Sequence, residues 1–166
     1  KKEKVVLLIN KKINQSKYDR KLVSFFKIDI FNQNIVFKFL KKFKLLKIFY
    51  LASSNLSAKE KENSKLLNKN LLTNVIGLVN FLEYARSKPK RIRLFYACSS
   101  HIYNDTFTNS QNEKTSPKFK SNYSLAKYLG KEICFFYRNL GVFCSVGILY
   151  SHVSKLSKKK FLIKDI

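Results

Sequence analysis

Four short apolar runs punctuate the chain, Val5–Ile9, Ile48–Ala52, Ile92–Cys98 and Val142–Leu149, with longer stretches of helical spacing between them. A run of that length, bounded by polar residues, reads as a strand buried on both faces. Phe25–Ile30 is a weaker strand of the same kind. Gln33–Phe43 carries apolar residues at helical spacing on a lysine-rich background. Leu71–Ser87 puts Val75, Leu78, Val79 and Leu82 on one helical face, and Tyr123–Leu140 does the same with Leu125, Leu129, Ile133 and Phe136. Strands alternating with helices predict βαβ units around a mainly parallel sheet, an α/β fold. Between Ser99 and Asn122 the chain is polar, and a loop that long within a compact domain is functional or disordered.

Lys and Arg number 34 against 10 Asp and Glu, a formal charge of +24. Charge of that size attracts nucleic acid or an anionic surface. Its make-up argues otherwise, because 29 of the cations are Lys and only five are Arg. Lys, Asn, Ile, Phe and Tyr are the residues of AT-rich codons, so base composition produces the same excess without a nucleic-acid role. A specific reader relies on Arg forks and positioned aromatics. No specific nucleic-acid partner is expected. No apolar run nears the ~18 residues of a membrane span, so no membrane role is expected either. The three cysteines, Cys98, Cys134 and Cys144, form no CxxC pair, which fits a reducing, cytoplasmic compartment. Two histidines without clustered Cys or carboxylates give a metal site little support. The chain lacks Met and begins at Lys1, and is expected to be a fragment of a longer reading frame.

The strongest chemical signal is Tyr123-Ser124-Leu125-Ala126-Lys127. Tyr and Lys four apart share a helix face. A nearby ammonium favours the phenolate, so Lys127 is expected to lower the Tyr123 pKa and make it a base near neutral pH. A lone match of this kind arises by chance in so Lys- and Tyr-rich a chain. Upstream, Ser99, Ser100 and His101 follow an apolar strand. Hydroxyls at the C-terminal end of a parallel strand lie where α/β sheets bind ligands, although Ser there is ordinarily a turn residue. Ser99 can hydrogen-bond the same substrate oxygen that Tyr123 deprotonates.

With these residues in place, the chain resembles the extended short-chain dehydrogenase/reductase family, and within it the GDP-mannose 4,6-dehydratases. The likeness runs through nearly the whole sequence. Ile9-Asn10-Lys11-Lys12 is similar to the basic stretch after the second strand of the family, and Asp29-Ile30 to the pair after its third. Tyr50-Leu51-Ala52-Ser53-Ser54 looks like its Asn-Leu-Ala-Ala-Gln, and Asn74-Val75-Ile76-Gly77 like its Asn-Val-x-Gly helix. Arg93–Tyr103 resembles its strand ending Ser-Thr-Ser-Glu-Leu-Tyr, and Gln111, Glu113 and Thr115 its Gln-x-Glu-x-Thr. Gly147-Ile148-Leu149-Tyr150-Ser151-His152 is similar to the branch signature Gly-Ile-Leu-Phe-Asn-His, and Phe161–Ile166 tracks the family's next segment, Phe-Val-Thr-Arg-Lys-Ile.

The resemblance implies a Rossmann-type doubly wound parallel sheet, strands two to six of a dinucleotide-binding core, with residues 1–166 forming a partial NAD(P)-binding domain. It implies NADP, with NAD as the alternative, held by Lys11 and Lys12 at the 2′-phosphate and by Asp29 and Ile30 near the adenine. Leu51, Ala52, Tyr123, Lys127 and His152 complete the implied cofactor set, and Ser100 and Ser151 would meet substrate. The implied substrate is a nucleotide sugar, GDP-mannose, and the implied assembly of the full-length protein a homo-oligomer. The implied reaction oxidises the sugar at C4 with Tyr123 as base and Ser99 as hydroxyl anchor, eliminates water across C5 and C6, and returns the hydride to C6.

The departures from the pattern are as informative. His101 stands where the family has a Glu, so the elimination base changes in reach and charge. Ser54, Asn104 and Ser151 replace Gln, Gly and Asn. An epimerase or reductase of the same superfamily would keep Tyr123, Lys127 and Ser99 without needing that Glu. A non-catalytic basic protein on the same fold is the third reading. The family's Gly-x-x-Gly-x-x-Gly turn has no counterpart, since the only glycines are Gly77, Gly130, Gly141 and Gly147. That turn places backbone N–H groups and a helix N-terminus on the pyrophosphate, and the strand before it is central in the sheet. Its absence leaves two apolar strand edges open. The 166-residue chain on its own is therefore expected to bind NADP weakly and to aggregate; a soluble monomer binding NADP at micromolar affinity by calorimetry would contradict this.

Overall fold

The computed structural model describes residues 4–9, 18–44, 46–53, 64–103 and 110–151. Strands β1 (Val5–Leu8) and β2 (Val23–Phe26) form a parallel pair, followed by helix α1 (Gln33–Leu40). Strand β3 (Leu46–Tyr50) leads to helix α2 (Ser64–Leu71), a π-helical turn (Leu72–Gly77) and α3 (Leu78–Arg86). Strand β4 (Ile92–Ser99) runs into a 3₁₀ turn (Ser100–Ile102), then come α4 (Asn122–Asn139) and β5 (Cys144–Leu149). The second sheet has the order β3-β4-β5, parallel throughout, with Tyr50 opposite Tyr96 and Ser99 opposite Leu149. The alternation expected from the sequence is realised. Strand β3 starts two residues earlier than its apolar run, and the α2–α3 helix begins seven residues earlier than its periodicity.

Local chemistry explains the helix ends. Asn32 caps α1, its side chain accepting from the Ile35 N–H at 3.1 Å. Helix α4 opens with a reciprocal box: Ser121 Oγ accepts from the Ser124 N–H at 3.0 Å, and Ser124 Oγ accepts from the Ser121 N–H at 3.2 Å. The same helix closes on Gly141 at φ 83°, the left-handed region where a Cβ is costly. There the Gly141 and Val142 N–H groups donate to the Arg138 and Tyr137 carbonyls at 2.9 and 3.0 Å.

The core lies on one side of the β3-β4-β5 sheet. Ile92, Leu94, Tyr96 and Cys98 of β4 point inward, against Leu78, Phe81, Leu82 and Ala85 of α3 and Cys134 and Tyr137 of α4. Each fully buried leucine here contributes roughly 1.5–3 kcal/mol. Helix α1 adds Val36, Phe39 and Leu40, and Val6 and Leu8 of β1 pack on the same cluster. The other face carries Phe49, Phe95, Phe143 and Leu149, with Phe95 lying against Gly147. Phe49 is 66% and Phe143 54% exposed, so strands expected to be covered on both faces are covered on one among the described residues. Strands β1 and β3 share this core but are joined by no ladder among those residues.

The π turn packs directly on α4. A side chain at Gly130 would meet the Tyr96 hydroxyl and the Asn74 carbonyl oxygen, the latter at 2.9 Å. The turn's Thr73 carbonyl accepts from the Tyr50 hydroxyl at 2.5 Å. Gly130→Ala is expected to cost roughly 1–3 kcal/mol by overpacking. Gly141→Ala meets no neighbour within 4 Å and is expected to cost only the backbone penalty, roughly 1–2 kcal/mol. Urea midpoints of the two variants check both.

Candidate active site

Parallel strands put all their C-terminal ends on one edge, and the sequence-selected residues gather there. Ser99 is the last residue of β4, Ala52 and Ser53 follow β3, and Ser151 follows β5. Helix α4 begins beside this edge and brings Tyr123 and Lys127 to it. Tyr123 stands in the first turn of α4, and the Ser99 side chain is among the groups that act on its phenol. Ser99 Oγ also accepts from the His101 N–H at 3.3 Å, which starts the 3₁₀ turn. That turn presents the exposed His101 ring edge-on to Tyr123, with centroids 5.8 Å apart.

Lys127 is 2% exposed, and its ammonium donates to the Ala97 carbonyl at 2.7 Å. It lies 5.0 Å from the Tyr96 ring centre and 5.8 Å from that of Tyr123. Burial lowers its pKa to about 8. The expected depression of the Tyr123 pKa by Lys127 is not found. Burial pushes that phenol up, and the opposing pull comes from hydrogen bonds with Ser99 and Ser53. Lys127 is not among the groups that shift the phenol: its ammonium is tied to the Ala97 carbonyl and lies over the Tyr123 ring, 5.8 Å from the ring centre.

Ser53 was not singled out from the sequence. It is one serine of a Ser-Ser pair 70 positions from Tyr123, and no spacing rule connects them. Asn74 is the other addition. It is fully buried in the π turn, its Nδ2 donating to the Asn70 carbonyl at 3.1 Å and to Ser53 Oγ at 3.5 Å. Its Oδ1 accepts from the Tyr96 hydroxyl at 3.2 Å. The Asn-Val-x-Gly likeness was a signal for Asn74.

The remaining expected residues fall into three groups. Asp29 and Ile30 lie after β2, where the Asp29 carboxylate accepts from the Phe31 N–H and the Ile30 carbonyl from Asn80 Nδ2, both bonds structural. Leu51 is exposed at 63%, Ser100 is buried and Ser151 is exposed. Lys11, Lys12 and His152, with Ser54, Asn104 and the 161–166 segment, lie outside the described residues.

The sequence matches the family model for GDP-mannose 4,6 dehydratase over residues 4–166. The chain belongs to that family. Solved structures agree on the fold. A dTDP-glucose 4,6-dehydratase from Bacillus anthracis str. Ames, in complex with NAD, is 24% identical at TM-score 0.64, over 80% of this chain and 39% of that one. A Thermus thermophilus UDP-glucose 4-epimerase with NAD is 20% identical at TM-score 0.71, over 86% and 45%. An RMD from Pseudomonas aeruginosa complexed with NADPH is 15% identical at TM-score 0.71, over 86% and 50%. The chain thus spans half or less of the length of these relatives. A search of curated proteins found no match. No helix among the described residues is long and apolar enough to cross a membrane.

These solved structures, two in complex with NAD and one with NADPH, share an α/β Rossmann-type fold with this chain. The donors present fit the nicotinamide end of such a cofactor: a buried ammonium beside a phenol at the C-terminal sheet edge. The four glycines are otherwise engaged or distant, so the described residues supply no glycine turn for the pyrophosphate.

The shifted lysine makes a measurable prediction. An unfolded lysine gains its proton below about 10.5, Lys127 only below about 8. Between those values the unfolded state binds more protons, so stability rises with pH. Below pH 8 both states are protonated and the penalty is complete. Relative to Lys127→Met, the wild type should gain roughly 2–3 kcal/mol between pH 7 and 10 in urea titrations.

Proposed function

We propose that the chain is the dinucleotide-binding part of a GDP-mannose 4,6-dehydratase-like enzyme using NADP. The observation that carries this reading is the meeting of His101, Tyr123 and Lys127 beyond the end of β4, where the His101 ring lies edge-on to Tyr123 and the buried Lys127 ammonium, one helical turn on, is bonded to the Ala97 carbonyl. A bound nicotinamide would accept a hydride from the sugar and return it within one turnover. Ser99 holds the sugar C4 hydroxyl, and Tyr123 as phenolate takes its proton. Lys127, anchored on the Ala97 carbonyl, holds the ribose side of the cofactor and keeps positive charge near the ring. The resulting 4-keto group acidifies the C5 proton. His101, exposed and with its ring edge-on to Tyr123, is the proposed base for that proton, and the C6 hydroxyl then leaves as water. Lys11, Lys12, Asp29, Ile30, Leu51, Ala52 and His152 are proposed cofactor contacts, Ser100 and Ser151 substrate contacts. The complete protein is proposed to be a homo-oligomer.

His101 also favours a second reading. With no carboxylate in that place, a nucleotide-sugar epimerase or reductase needs nothing further from this site. Formation of a 4-keto-6-deoxy product from GDP-mannose separates the two. In the intact protein, Tyr123→Phe should lower turnover of GDP-mannose by roughly 10²–10⁴-fold; near-wild-type turnover would remove Tyr123 as the base. His101→Ala should abolish deuterium uptake at C5 from D₂O while leaving C4 oxidation measurable, and undiminished uptake would move the elimination base elsewhere.

A further inference from the structure

The edge of the β3-β4-β5 sheet opposite the candidate site has no part in the reaction proposed above. The parallel strands start there, and α1, α3 and α4 end there. The three connections from those helices to the strands that follow, residues 41–45, 87–91 and 140–143, lie side by side. The Leu46 N–H donates to the Arg91 carbonyl at 3.0 Å, and the Leu94 N–H to the Phe143 carbonyl at 3.0 Å. Lys41, Lys42, Lys44, Lys88, Lys90 and Arg91 stand exposed in the first two, and none of the three contains a carboxylate. Glu83, in the last turn of α3, is already engaged by Arg86 at 2.8 Å and by the Tyr137 hydroxyl at 2.6 Å.

Cations in the last turn of a helix answer its dipole, which accounts for Lys38, Arg86 and Arg138. It does not account for cations past the helix ends. Base composition raises lysine throughout the chain, yet it does not place arginine: four of the five, Arg86, Arg91, Arg93 and Arg138, gather at this edge. Aromatic rings stand among these charges. Arg93, exposed near the start of β4, lies over the Phe143 ring at 5.0 Å, and Phe143 is half exposed. Further along the same face Phe49 is exposed, 6.0 Å from Phe95, which the strand register sets opposite it. Guanidinium groups pair bidentately with phosphates, and exposed rings stack on bases of any sequence. These rings lie on a sheet face beside a guanidinium, an arrangement that stacks bases, rather than on an amphipathic helix of the kind that enters a lipid surface.

We propose that this edge binds single-stranded nucleic acid without sequence preference, with phosphates on Lys90, Arg91 and Arg93 and a base stacked on Phe143. Such binding reads no base identity, so it differs from the specific recognition that the sequence argues against. The edge lies away from Tyr123 and Lys127, and the inference stands or falls independently of the catalytic reading.

The test is fluorescence anisotropy of a labelled oligothymidylate of about 20 nucleotides, longer than one site, with the intact protein. Affinity should fall with salt at a log–log slope of about −3, that of roughly four phosphates. Lys90→Gln with Arg91→Gln should make the slope shallower by about 1.4, two phosphates at about 0.7 each. Phe143→Ala should weaken binding about tenfold and leave the slope unchanged. Lys114→Gln with Lys120→Gln, both exposed in the loop before α4 on the site side, should leave the slope as it is. Circular dichroism of each variant checks its fold. Absence of binding, a slope lowered equally by both double variants, or wild-type affinity in Phe143→Ala overturns the proposal. Preference for phosphatidylserine vesicles over the oligonucleotide would give the edge to a membrane and overturn it as well.

Discussion

Tyr96 stands fully buried where β4, the π turn and α4 meet, and the site depends on how that one side chain is accommodated. Its hydroxyl occupies the space a Cβ at Gly130 would need, so α4 approaches the sheet closely only because residue 130 has no side chain. The same hydroxyl orients Asn74, and the ring lies beside the Lys127 ammonium. The π turn belongs to this arrangement. Its widened backbone leaves the Thr73 carbonyl to Tyr50 and sets Asn74 against both Tyr96 and the loop after β3. Such turns occur mostly within α-helices at functional sites. Strand, helix and loop are thus registered to one another by a few buried polar contacts inside an otherwise apolar core.

Burial also decides the electrostatics of the site. It disfavours the charged form of both central groups, lifting the Tyr123 phenol and lowering the Lys127 ammonium toward neutrality. A tyrosine–lysine pair on one helix face is therefore not by itself an activated base. What opposes desolvation at the phenol is hydrogen bonding from two serines on two different strand ends. Lys127 gains a fixed position instead, on the Ala97 carbonyl one strand residue before Cys98. That bond sets the ammonium over the Tyr96 and Tyr123 rings.

The aromatic face of the three-stranded sheet is a separate consequence of the pattern. Phe49, Phe95 and Phe143 alternate with inward residues as strand geometry requires, yet only the inward set is packed by helices among the described residues. Arg93 lies over the Phe143 ring at 5.0 Å, and Gly147 lets Phe95 lie flat on β5. The near-continuous apolar runs that signalled two covered faces describe the strands correctly. They carry no information on what lies over each face.

Composition and periodicity by themselves determined the order of strands and helices, the parallel α/β class and both ends of α4. These depend on contacts between near neighbours in the chain: apolar spacing, the Ser121–Ser124 box and the glycine at the helix end. The meeting of Ser99, His101, Tyr123 and Lys127 was legible too, because strand ends and a helix start share one edge in any parallel sheet. Four further decisions belonged to the tertiary structure: the π turn, the commitment of Lys127 to Ala97, the rise rather than fall at Tyr123, and the arrival of Ser53. Each depends on distances between residues far apart in sequence and on how completely water is excluded from the space between them. Neither quantity is written in local spacing, because both are set by how the packed elements close on one another.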